Sequence, residues 1–129
     1  MAYRIEIDPE ERRGVGVLYA GVTGEEFAEA MRALYEHPDW QPGFDAVWDL
    51  TDVRELVIDQ PGVETIIAAT LACRPRMGLG RAAFVVPHEM HHTIAALLIH
   101  RTREPGRERR LFERRAAADA WLSFPPLED

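Results

Sequence analysis

The run Ala82-Ala83-Phe84-Val85-Val86 is continuously apolar between Arg81 and Pro87. Such a run is expected of a strand buried on both faces, which occurs where helices cover a largely parallel sheet. The rest of the chain has to supply that sheet and its covers. Tyr3, Ile5 and Ile7 alternate with Arg4 and Glu6, which predicts a first strand over Tyr3–Ile7. A turn over Asp8–Arg13 leads to a second strand, Val15–Ala20, and the pair reads as an antiparallel hairpin.

Helical patterns follow. Thr23 and Glu26 make a capping box flanked by a Val22/Phe27 hydrophobic staple. Phe27, Met31, Leu34 and Tyr35 then form one stripe, and Pro38 stops the helix near His37. Phe44–Leu50 reads as a third strand and Asp49–Gln60 as a long loop, with a turn around Leu56–Ile58. Pro61 suits the first turn of a second helix with Val63, Ile66, Ile67, Thr70 and Leu71 as its stripe, and Pro75 is expected to end it. Arg81–Pro87 holds the fourth strand. A third helix is expected over Glu89–Arg101, with Met90, Ile94, Leu97 and Leu98 inward. Arg109–Phe112 is a short fifth strand, and Arg115–Leu122 a final helix with Ala117, Ala120 and Trp121 inward. Phe124–Asp129 is a tail broken by two prolines. The order β-β-α-β-α-β-α-β-α predicts an α/β fold, with a mixed, mostly parallel five-stranded sheet and four helices, in one domain over residues 1–129.

Composition narrows the function. The chain has 129 residues and a net charge of −7, which argues against nucleic acid as a partner. All 15 basic residues are Arg, so Schiff-base, P-loop and SxxK chemistry are excluded. Lys and Asn, both with A-rich codons, are absent, which points to a GC-rich, bacterial genome. Cys73 stands alone, the amino terminus has no apolar run, and no stretch approaches the roughly 18 apolar residues of a membrane span. A soluble cytoplasmic protein is the expectation.

Three segments carry a family resemblance. GVTGEEFAEAMRAL, FDAVWDLTDVRELVIDQPGV, and RAAFVVP followed later by LFERRAAADAWL resemble, in order and spacing, the SpoIIAA-like (STAS-type) family over essentially the whole chain. The resemblance implies the SpoIIAA-like fold and a non-enzymatic, regulatory module that binds a protein partner. Some such domains are switched by phosphorylation in an Asp-Ser-Ser-Gly motif at the start of the second helix. Here Asp59-Gln60-Pro61-Gly62 stand in its place, and Pro61 has no hydroxyl to accept phosphate. Thr51 or Thr65 could substitute. The fold also resembles the CRAL-TRIO lipid carriers, which implies a small-molecule or lipid-binding alternative.

Other clusters are weighed against plainer explanations. His88-Glu89-Met90-His91-His92 matches HExxH, in which His88 and His92 would hold zinc and Glu89 would activate water for a zinc-dependent hydrolase. Pro87 puts His88 at the start of a helix, however, and no third ligand is assigned, although Glu104, Glu108 and Glu113 lie downstream. Asp49, Asp52 and Asp59 could meet a cation or a basic partner, but Asp in loops is commonly turn chemistry. Arg101–Arg115 holds seven Arg interleaved with three Glu and reads as a solvated edge. Trp40, Trp48 and Trp121 read as core or near-core, and Cys73 as a buried small hydrophobe. The leading expectation is therefore an interaction surface formed by Thr51, Asp52, Asp59, Gln60 and His88, with no cofactor, no catalytic residue and no metal. A homodimer is compatible with every reading.

Overall fold

The computed structural model describes residues 3–124, so the expected tail Phe124–Asp129 lies outside the described residues except for Phe124, which is exposed. Nine elements follow in the expected order: β1 (Tyr3–Asp8), β2 (Arg13–Thr23), α1 (Gly24–Tyr35), β3 (Asp45–Val57), α2 (Gln60–Met77), β4 (Ala82–Val85), α3 (Glu89–Arg101), β5 (Arg109–Phe112) and α4 (Arg115–Ser123). The sheet order is β1-β2-β3-β4-β5, antiparallel between β1 and β2 and parallel thereafter.

The three crossovers all step the same way across the sheet. Right-handed connections therefore place α1, α2 and α3 on one face. That face carries the larger core, in which Leu18, Trp48 and Leu50 from the sheet meet Met31, Leu34, Ile66 and Met77 from the helices. α4 covers the other face, where Ala118 and Leu122 bury Val47, Ala83 and Val85. The apolar run in β4 is thus flanked on both sides, as its composition predicts. Arg81 ties α4 down: its guanidinium pairs with Asp45 at 3.2 Å, donates to the carbonyls of Trp121 and Leu122, and stacks on the Trp121 ring.

Thr23 Oγ1 accepts from Glu26 N, and Thr23 N donates to Glu26 Oε1, so the capping box forms as the sequence predicts. Gly24 begins α1 because α2 starts against it: a Cβ there would stand 2.5 Å from Gly62 Cα. Gly16 pairs with Trp48, and its missing side chain is the bed of the indole ring. That ring also packs on Phe27 and Tyr35 at centroid distances of 5.4 and 6.2 Å. Trp40 and Trp48 are buried and Trp121 is half-buried.

Four expectations are corrected. Asp49–Gln60 is not a long loop, because β3 continues to Val57 by pairing with Tyr19–Thr23 of β2. Pro75 does not end α2, which runs on to Met77 before Gly78 turns at φ 64°. The missing Pro75 N–H leaves the Leu71 carbonyl without its helical donor, and Leu71 is exposed, so water can take that place. Arg76 meanwhile fixes the last turn, donating to the Tyr35 and Trp40 carbonyls while Trp40 Nε1 donates to the Arg76 carbonyl. In α3, Ile94 and Leu98 face inward as expected, but Met90 is 80 % and Leu97 41 % exposed, and His91, Ala95 and Ile99 complete the inner face in their place. In α4, Ala117 and Ala120 point outward and Ala118 and Leu122 inward. Both helices carry apolar residues around much of their circumference, and such residues alone do not tell which side faces the sheet.

Candidate functional site

Because the strand order never reverses, the sheet has no topological switch point, the usual origin of a ligand crevice in open α/β sheets. A concave surface arises instead where β2 and β3 lose register. Val17 opposes Asp49 but Tyr19 opposes Asp52, and Ala20 opposes Val53 but Gly21 opposes Glu55. β3 therefore carries two extra residues. Bulges of this kind bend a strand and re-aim its side chains. Ala20 sits between them at φ 60°, a left-handed conformation that costs a non-glycine residue about 1 kcal/mol or more. Replacing it (Ala20→Gly) should stabilise the protein by about 0.5–1 kcal/mol in thermal or urea unfolding.

The bulged stretch forms a cleft of about 570 Å³ lined by Tyr19, Ala20, Thr51, Asp52, Val53, Arg54 and His88. Three of the five expected surface residues, Thr51, Asp52 and His88, thus come together. Arg54 and Tyr19 were missed, and the only signal for them was the hidden bulge. Asp52 and Arg54 are exposed and form no ion pair with a described residue. Asp59 and Gln60 lie apart from the cleft at the start of α2. Asp59 is the N-cap, accepting from Gly62 N at 2.9 Å, and Gln60 is the first helical residue.

The acidic trio is divided by role. Asp49 is buried, accepts from Thr51 N and Oγ1, and pairs with Arg115 at 3.1 Å. Asp52 faces the cleft, and Asp59 caps a helix. At the replaced phosphorylation motif, Pro61 is exposed in the first turn of α2 and its carbonyl accepts from Thr65 Oγ1. Ser123, the sole serine of the chain, lies at the end of α4.

The His segment is likewise dispersed. His88 is the exposed N-cap of α3, and His92 approaches the Val86 carbonyl at 2.6 Å through Nε2. His91 turns inward. Burial lowers its pKa, and the neighbouring His88 and His92 lower it further. Among the described residues no three His, Cys, Asp or Glu side chains converge as a metal set. Cys73 is buried, and burial pushes its thiol pKa up, against nucleophilic use.

A second concavity lies between the sheet and α3. It is an apolar chamber of about 50 Å³, walled by residues including Phe27, Trp48, Leu56, Ile66, Leu98 and Ile99.

No family model and no curated protein matches the chain. Among solved structures it is similar to an uncharacterised protein of the DUF3478 family with a SpoIIAA-like fold from Shewanella loihica PV-4. That likeness has a TM-score of 0.60 at 22 % identity, over 94 % of this chain and 92 % of the other. It is also similar to the anti-sigma factor antagonist SpoIIAA in its unphosphorylated form, with a TM-score of 0.55 at 12 % identity, over 95 % of this chain and 100 % of that one. The chain therefore has the SpoIIAA-like fold. No helix among the described residues is long and apolar enough to cross a membrane.

Proposed function

We propose that this chain is a non-enzymatic interaction module that docks a protein partner at the bulged cleft between β2 and β3. The observation that carries the reading is the placement of Asp52, Arg54 and His88 around a strained bulge, with the two charged groups exposed and without an ion pair among the described residues. One carboxylate, one guanidinium and one imidazole around a half-apolar floor suit recognition of a polar surface. The likeness to an anti-sigma factor antagonist supports a regulatory partner. The usual phosphoacceptor position holds Pro61, so the partner is selected without that switch. The test is cross-linked capture from extract of the source cells, comparing wild type with the charge-reversed pair Asp52→Arg, Arg54→Glu. A specific partner should be lost from the variant while its unfolding free energy stays within about 0.5 kcal/mol. A partner captured equally by both proteins would refute the surface.

A second reading is favoured by the apolar chamber under α3. The inner residues of that helix, Ile94, Ala95, Leu98 and Ile99, line it and are only half-buried. On this reading the helix rides over a space that receives a small apolar ligand.

A further inference from the structure

Two arginines reach the apolar chamber. Arg107, 9 % exposed, and Arg109 both line it beside the buried Tyr35. Their charges are spent on neutral acceptors. Arg107 Nε donates to the Gly80 carbonyl at 3.2 Å, and Arg109 donates to the Ile99 carbonyl at 2.6 Å and to Thr102 Oγ1. Neither forms an ion pair among the described residues. The nearby Arg74 has one carboxylate, Glu104, at 3.5 Å. Among the described residues, three guanidiniums thus share a single carboxylate at the edge of an apolar space. Burial first, and then repulsion from Arg107, pushes the Arg109 pKa down to about 10.

Buried cations without an anion are costly, and removing that cost favours any ligand that brings the anion with it. The walls require the remainder of such a ligand to be apolar. We propose that the chamber binds a small apolar monocarboxylate, its body against Trp48 and Leu98 and its carboxylate on the guanidiniums of Arg107 and Arg109. A guanidinium fork matches a planar carboxylate with paired hydrogen bonds. Room for the body comes from an outward shift of α3, whose face over the chamber has little packing to lose.

This inference rests on the apolar-ligand reading and is tested separately from it. Trp48 lines the chamber, so its fluorescence can report occupancy. Octanoate and 1-octanol share an apolar body and differ in the charge. Octanoate should bind the wild-type chain about tenfold or more tighter than octanol, since a charged hydrogen bond is worth at least that much. Arg109→Met, close to arginine in volume, should erase the difference while leaving octanol binding in place. Equal binding of the two probes to wild type would overturn the carboxylate assignment and leave the apolar pocket standing. Binding of neither would overturn both. The wild-type comparison holds even if the variant fails to fold.

Discussion

Trp48→Ala should cost the fold about 3–5 kcal/mol, the range for truncating a large buried aromatic. The side chain is 1 % exposed and lies on Gly16, with Phe27 and Tyr35 against its ring. It joins three elements, β2, β3 and α1, so the cavity left behind cannot be filled by one neighbour moving. Small domains are stable by about 5–15 kcal/mol in all. The urea midpoint should therefore fall steeply, and the variant could be partly unfolded at 37 °C. A loss below about 1 kcal/mol would mean that the ring is not packed as described.

Arg81→Met should cost about 3 kcal/mol, as expected when one member of a buried pair is removed. The aliphatic stem is kept, so the loss isolates the guanidinium. Asp45 would keep its bond from the Arg81 backbone N–H but lose its counter-charge. The carbonyls of Trp121 and Leu122 would lose a donor at the end of α4. Hydrogen exchange should then rise first in α4. Uniform exchange with unchanged stability would show that α4 is held by its apolar contacts alone.

The alternation of strand and helix was legible because each element announced its own period or cap. Thr23 and Glu26 marked the start of α1, and the apolar run of β4 marked the sheet interior. The far half of β3 was not legible, for a specific reason. Leu50, Val53 and Leu56 recur every third residue, which does not match a strand. Each of the two bulges adds one residue between inward positions and turns a period of two into three. The same bulges build the cleft, so the surface was hidden by the irregularity that creates it. Thr51, Asp52 and His88, expected because strand ends and helix starts are natural places to look, line that cleft together. Arg54 was not expected, since nothing in a charged stretch tells which side chain a bulge will turn. The cationic end of the chamber lies in a stretch whose composition reads as a solvated edge. Seven Arg and three Glu over fifteen residues do not reveal that Arg107 and Arg109 point inward.

The cover of the far sheet face by α4, the only helix on it among the described residues, matters during synthesis. Val47, Ala83 and Val85 leave the ribosome well before Ala118 and Leu122, the residues that bury them. At roughly 5–20 residues per second, the nascent chain presents a bare apolar sheet face for a few seconds. Until the last helix arrives, that face is a natural landing place for a chaperone, and a chain halted before Arg115 would carry it permanently as an adhesive patch.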